Sequence, residues 1–426
     1  MIACRACKSS RLNMFLPLGS HPLANGFLRK QQIAEEEATF PLDTHVCLDC
    51  GLIQVRDNVP PGYFRNYVYV PSASEVMHGH FADLADAIAG EFLTSADSLT
   101  IDIGCNDGLF LKCLKDRGAR TLGVDPATNI IQVARQQGLE IINEYFNPEI
   151  ATGIRETYGP ASVILTTNTF HHVDDLDSFT EGVRLLLNDS GVFIIEVPHA
   201  LELVEQNEFD GVYHEHVSQF TVKSFVDLFR RFDLEVFRVD RLDVHGGSVR
   251  VFVRKGKGGD SMSPAVSAWL SRGAERGLFS ESTYTAFRER VEEIKETLLT
   301  LLSTLKGAGK RVVGYGASAR GNTLLNYYII GTDLLDYIVD RNSLKHGLYS
   351  PGMHIPVFGV EKLLEDRPDY VLILAWNFGE EIMRQQEEYR RLGGRFIFPI
   401  PEPRIINGEG VEISQAPFLS DLLTRR

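Results

Sequence analysis

Two stretches of this chain end a strand on glycines and open a helix directly afterwards. That repeated pattern constrains the fold more than any other feature. The first is Leu99-Thr100-Ile101-Asp102-Ile103, then Gly104-Cys105-Asn106-Asp107-Gly108, then a helical run from Leu109 to Arg117. The second is Arg311-Val312-Val313, then Gly314-Tyr315-Gly316-Ala317-Ser318-Ala319-Arg320-Gly321. Glycines there let the backbone approach a ligand closely, and the helix N-terminus behind them favours a negative group. Apolar runs continue each unit: Thr121–Asp125, Glu140–Ile142, Ser162–Thr166 and Gly191–Ile195 after the first, Leu335–Asp340 and Tyr370–Leu374 after the second. Helical stretches near 127–137 and 175–187 alternate with the earlier set. Strands alternating with helices describe parallel sheets covered by helices, so the fold class is α/β with two Rossmann-like units.

The remaining chain divides around them. Residues 1–75 hold two CxxC pairs among Pro, Gly and turns, and so small a region lacks the core to fold without a staple. Residues 76–255 form the first α/β unit. It opens with an amphipathic helix over 78–93 and closes with an antiparallel pair, Leu234–Arg241 and Ser248–Arg254. Residues 256–306 are a helical connector, with Gly256-Lys257-Gly258-Gly259-Asp260 as linker and a long helix over 281–306. Residues 307–426 carry the second unit. With 43 basic and 57 acidic residues the net charge is −14, which argues against a general nucleic-acid binder. No run approaches the ~18 apolar residues of a membrane helix, and the N-terminus lacks a signal-type apolar core. A cytoplasmic protein with no membrane partner is expected. In a reducing compartment its paired cysteines point to metal or redox chemistry.

Four constellations carry chemistry. Cys4, Cys7, Cys47 and Cys50 offer four thiolates, which suit tetrahedral zinc and leave no open position, so the metal is structural. In the first glycine turn, Asn106 stands between the two glycines, and Asn tolerates a left-handed backbone best among non-glycine residues. Asp125 ends the next strand, placed to accept from ribose hydroxyls. Asn168-Thr169-Phe170-His171-His172 and Tyr213-His214-Glu215-His216 follow later strands, and imidazoles there suit proton abstraction near neutral pH. On an extended segment Tyr213 and Glu215 share one side and His214 and His216 the other; Glu215 can then orient an imidazole. A zinc site on these histidines stays open. The second turn fits G-x-G-x-x-A, with Asp340 near the spacing of a ribose acid. Alone it reads as an NAD site, while Arg320 adds a phosphate donor, and Asn322, Arg341, Asn342 and Lys345 add polar groups for any nucleotide diphosphate.

The acid-x-G-x-N-x-G turn resembles motif I of class I S-adenosylmethionine methyltransferases. Together with the four cysteines, Tyr213-His214-Glu215-His216, His245-Gly246-Gly247-Ser248 and Gly316-Ala317-Ser318-Ala319-Arg320-Gly321-Asn322-Thr323-Leu324-Leu325-Asn326-Tyr327, it makes nearly the whole chain resemble the nucleotide-sugar C-methyltransferases of deoxysugar pathways. The resemblance implies a zinc-binding domain, a central methyltransferase domain and a C-terminal nucleotide-sugar domain. It implies methyl transfer from S-adenosylmethionine to C-3 (or C-5) of a dTDP-linked 4-keto-deoxysugar. His216 resembles the base, with Tyr213, Glu215, His172 and Tyr67 beside it, Tyr67 donating to the developing enolate oxygen. Asp102, Gly104, Asn106, Gly108, Asp125 and Asn168 fall to the cofactor; Arg320, Asn322, Asp340, Arg341 and Lys345 fall to the sugar nucleotide. The rivals are an NAD-dependent nucleotide-sugar oxidoreductase and a zinc-bearing nucleic-acid binder. Three domains can enclose the site without a partner, so a monomer is compatible.

Overall fold

The structure is a computed structural model and describes residues 2–60, 62–67, 69–95, 97–244, 246–256 and 263–413. His245 and the expected linker residues 257–260 lie outside the described residues.

Three sheets organise the chain. The first is N-terminal and antiparallel: β1 (Leu12–His21), β2 (Phe40–Cys47) and β3 (Ile53–Val55). Its fourth strand comes from far along the chain. Ser218–Gln219 pairs with β3 through Ile53 opposite Gln219, so the zinc-type region is completed by the middle of the sequence.

The second sheet holds β4 (Leu99–Ile103), β5 (Arg120–Val124), β6 (Ile141–Ile142), β7 (Ala161–Thr167) and β8 (Leu187–Pro198), all parallel. Counting Ser218–Gln219 as β9, the expected antiparallel pair follows as β10 (Leu234–Leu242) and β11 (Ser248–Lys255), joined to the sheet through β8. Strand order is β10-β11-β8-β7-β4-β5-β6. Val163, Ile164, Leu165, Phe193, Ile194 and Ile195 are wholly buried, the continuous apolar reading of strands covered on both faces.

The third sheet repeats the theme with β12 (Val312–Tyr315), β13 (Ile338–Val339), β14 (Val357–Phe358), β15 (Tyr370–Ile373) and β16 (Arg395–Phe398) parallel, then β17 (Arg404–Ile406) and β18 (Glu412–Ile413) antiparallel. The expected strand Leu335–Asp340 contracts to two residues. In both α/β sheets the strand before the glycine turn is flanked by the strand that follows it on one side and a later strand on the other. Each turn therefore opens at a topological switch point, where ligands bind in such sheets.

The helix Glu281–Gly307 is more than a connector. Its apolar residues recur at helical spacing, Tyr284, Phe287, Val291, Ile294, Leu298, Leu301 and Leu305, and all are buried. They share one core with Phe15, Leu16 and Leu18 of β1 and with Leu324, Leu325 and Tyr328 of the C-terminal unit.

Candidate active site

A cavity of about 760 Å³ opens onto both glycine turns at once. Its walls combine Phe64 and Tyr67 from the N-terminal region, the first turn and the histidine clusters, and Gly316, Arg320 and Lys345 from the second turn's surroundings.

At the first turn Gly104, Asn106 and Gly108 all have positive φ, +81°, +50° and +79°. Asp125 leaves the end of β5 and its carboxylate accepts from the Asn106 N–H at 2.8 Å and the Ala127 N–H at 2.7 Å. Asp102 is buried beside it, with Oδ1 lacking a hydrogen-bond partner. Burial, then the Asp125 charge, push the Asp102 carboxyl up to about 8. Asn168 also has positive φ, and its N–H donates to the Glu196 carbonyl. Gly108, by contrast, stands behind the wall. It starts the helix Leu109–Lys115 in a left-handed conformation, and a Cβ there would lie 2.4 Å from Leu139 Cδ1. Its lack of a side chain lets that helix pack against Ala134 and Leu139.

The segment from Tyr213 to His216 departs from the extended reading. The His216 N–H donates to the Tyr213 carbonyl at 2.9 Å, closing a turn. Alternation therefore fails: His216 sits with Tyr213, ring centroids 3.9 Å apart, while His214 turns away to the carbonyls of Phe40 and Pro41. The Glu215 carboxylate is held by an amide and two phenols, and its backbone, not its carboxylate, meets the His172 ring. Glu215 is buried and accepts from Asn25 Nδ2 at 2.9 Å, Tyr63 Oη at 3.1 Å and Tyr67 Oη at 3.0 Å. The Tyr67 hydroxyl thus gives its proton to Glu215 and not towards the cavity. Asn25 and Tyr63 escaped the sequence reading. Nothing local marks Asn25, but Tyr63 precedes Tyr67 by four residues in the same aromatic stretch.

The His216 tautomer follows from its partners. Nδ1 faces the Gly211 carbonyl at 3.0 Å, and a carbonyl only accepts, so Nδ1 carries the proton. Nε2 then has the lone pair, which accepts from the Tyr213 hydroxyl. His171 and His172 pack against the ring at 4.0 and 4.9 Å between centroids. Burial first, then His171, His172 and Arg320, hold the His216 imidazole well below its ordinary pKa; burial brings His172 down to about 4. Both rings are therefore neutral, and the His216 lone pair at Nε2 is shared with the Tyr213 hydroxyl.

The second turn mirrors the first. Asp340 accepts from the Ala317 N–H at 2.6 Å and the Asn342 N–H at 2.7 Å. Lys345 is buried and donates to the Ala317 carbonyl at 2.7 Å. Arg341 is half exposed, near Glu381. Arg320 donates to Glu208 at 3.0 Å and stands 3.8 Å from Asp210. Asn322 is not at this cavity: it is buried and donates to the Ala24 carbonyl at 2.7 Å, a contact that ties the C-terminal unit to the N-terminal region.

Away from the cavity, the four cysteine sulfurs converge. Cys4 and Cys50 Sγ are 3.5 Å apart, as are those of Cys7 and Cys47, and all four lie within 4.8 Å of one another. Zinc–sulfur bonds of about 2.3 Å set tetrahedral edges near ~3.8 Å. The cluster fits a structural zinc. Thr221 donates to the Cys50 carbonyl at 2.6 Å, linking the knuckle to the strand that follows the His216 turn.

Family models match three successive stretches: residues 4–64 ("Putative zinc binding domain"), 77–239 ("Methyltransferase domain") and 243–401 ("C-methyltransferase C-terminal domain"). C-methyltransferase NovU of Streptomyces niveus is 35% identical over 407 residues, 95% of this chain and 97% of that protein. The chain belongs to the C-methyltransferase family. The ubiquinone biosynthesis O-methyltransferase of Brucella anthropi matches over 99 residues at 28% identity, 22% of this chain and 39% of that protein. The crystal structure of magnesium protoporphyrin IX methyltransferase from Synechocystis PCC 6803 with bound SAH aligns at TM-score 0.34 and 12% identity, covering 43% of this chain and 88% of that one.

As a C-methyltransferase the enzyme is S-adenosylmethionine-dependent, and the oxidoreductase and nucleic-acid readings give way. The first turn fits that cofactor: the Asp102 oxygen without a partner awaits a cationic or N–H-bearing group, and the Asp125 carboxylate stands at the cavity wall. Among the described residues, no helix is long and apolar enough to cross a membrane.

Proposed function

We propose that this C-methyltransferase methylates C-3 of a dTDP-linked 4-keto-deoxysugar, with His216 as the base. The observation that carries the reading is the His216 lone pair at Nε2, fixed by the Gly211 carbonyl behind the ring, in a cavity that also receives both glycine turns. Carbon beside a ketone is acidic, and Nε2 takes that proton as the Tyr213 hydroxyl turns its hydrogen bond away, while Nδ1–H stays on Gly211. When bound, S-adenosylmethionine supplies the electrophilic methyl that the resulting enolate accepts. Asp102, Gly104, Asn106, Asp125 and Asn168 surround the cofactor; Asp340, Arg341 and Lys345 face the nucleotide diphosphate. Tyr213 keeps the imidazole oriented, His172 closes one side, and the Glu215 carboxylate locks Tyr63 and Tyr67 over the site. One chain supplies every wall, so a monomer suffices.

Calorimetric titration with S-adenosylhomocysteine tests the cofactor site first. Incubating dTDP-4-keto-deoxysugars with S-adenosylmethionine then tests for a methyl mass gain. His216→Ala is expected to abolish that gain and leave S-adenosylhomocysteine affinity unchanged. Full activity in the variant would remove His216 as the base.

A further inference from the structure

The His216 base is held from behind by a structure that begins in the other α/β unit. Its Nδ1–H rests on the Gly211 carbonyl, which also accepts from Gln219 Nε2 at 2.9 Å. Gly211 ends the short 3₁₀ turn Phe209–Gly211, all of it buried. The preceding residue, Asp210, is 0% exposed, and its Oδ2 accepts from Trp376 Nε1 at 2.7 Å. Arg320 Nη1 donates to Glu208 at 3.0 Å, at the other end of the turn, and stands 3.8 Å from Asp210 Oδ1. The Arg320 guanidinium lies over the Trp376 ring, 5.3 Å from its centroid. A Cβ on Gly211 would come within 3.4 Å of Arg320 Nη2, so the guanidinium packs directly on the residue whose carbonyl holds the base.

We propose that Arg320 and Trp376, both from the C-terminal unit, are positioning residues for the His216 base, acting through the Glu208–Gly211 turn. This rests on His216 being that base. Two buried carboxylates facing one guanidinium explain an arginine here without a phosphate. The turn, once clamped, aims the Gly211 carbonyl, and the carbonyl aims the imidazole. A loosened support of this kind lowers turnover more than it weakens substrate binding. Arg320 also places a positive charge near the ring. The titratable and charged groups around His216 include His171, His172, Tyr213 and Arg320, with Glu208 and Asp210 beyond the guanidinium, and of these Arg320 is the permanent cation.

The test uses the full, zinc-loaded chain and the 4-keto sugar nucleotide that the unmodified enzyme methylates. Arg320→Gln is expected to lower kcat roughly 10- to 100-fold while KM for the sugar nucleotide stays within about twofold. Removing the cation lets the imidazole protonate more easily, so the acid limb of the kcat profile moves to higher pH. Arg320→Lys keeps the charge and is expected to lower kcat with the limb in place. Trp376→Phe removes the donor to Asp210 and part of the ring beneath Arg320; it too should lower kcat with KM unchanged. Nitrogen-15 spectra of the His216 ring follow the same pKa rise without turnover. A KM increase with kcat intact in Arg320→Gln would make Arg320 a phosphate ligand and overturn the proposal. So would a Trp376→Phe enzyme indistinguishable from the parent. If Arg320→Gln fails to fold, Arg320→Lys and Trp376→Phe decide the matter. Activity surviving in His216→Ala would instead strike the base assignment, while the ring spectra still report whether Arg320 governs His216.

Discussion

Gly104→Ala separates two reasons for a glycine at the cofactor turn. A glycine there is usually credited to the ligand, which needs the backbone close. In this structure an added Cβ would meet protein first: it would stand 2.1 Å from Thr169 Oγ1, 2.6 Å from Cγ2 and 2.7 Å from Cβ. Gly104 also has φ +81°. The left-handed backbone costs a non-glycine residue about 1–2 kcal/mol, and the overlap with Thr169 adds about 1–3 kcal/mol. The sum, roughly 2–5 kcal/mol, corresponds to a fall in Tm on the order of 10 °C for a domain of this size. Thermal unfolding of the ligand-free protein measures it, with S-adenosylhomocysteine titration of the folded fraction alongside. A variant that melts with the parent but loses ligand affinity would refute the reasoning, because the glycine would then be there for the ligand alone. A double-mutant cycle with Thr169→Gly isolates the overlap, and the coupling should be about 1–3 kcal/mol.

Three further outcomes follow from the same geometry. Cys47→Ser should remove zinc, lower Tm and reduce methyl transfer together, since Thr221 and β9 tie the knuckle to the His216 turn; metal analysis beside a melt checks this, and full zinc content would refute it. Asn106→Gly should stay within about 1 kcal/mol of the parent, whereas Asn106→Ala, at φ +50° and without the side-chain bond to the Tyr69 carbonyl, should cost about 1–3 kcal/mol; denaturant unfolding ranks the pair. Asp102, pushed up to about 8, is largely protonated at pH 7, and a ligand ammonium beside it draws the pKa down. S-adenosylhomocysteine binding at pH 7 should then release a proton, seen as a dependence of binding enthalpy on buffer ionisation enthalpy. Binding enthalpies equal in all buffers would exclude loss of an Asp102 proton on binding.

Local signals carried the reading where they were strong. The run Leu99–Ile103, its glycine turn and the periodic helix beginning at Glu281 were legible because each is set by neighbours in sequence. The α/β fold and the S-adenosylmethionine-dependent C-methyltransferase class followed from them and from the motif resemblance. What failed depended on distant contacts. Tyr213–His216 forms a turn, so alternation misassigned His214 and Glu215. Glu215 is satisfied by Asn25, whose loop carries no motif. Asn322 belongs to a buried seam with Ala24, although its motif places it beside Arg320. Strands of two residues, such as β13 and β14, are too short for any periodicity to register.

The shared core under Glu281–Gly307 has a consequence for synthesis. Phe15 of β1 packs on Tyr284 and Phe287, with ring centroids 4.8 and 5.9 Å away. During translation the first strands emerge long before that helix exists. At about 5–20 residues per second their apolar face waits on the order of tens of seconds for its cover. Through that interval the N-terminal region has no partner for this face. Truncations that stop short of Tyr284 should yield chains that aggregate, however complete their methyltransferase sheet.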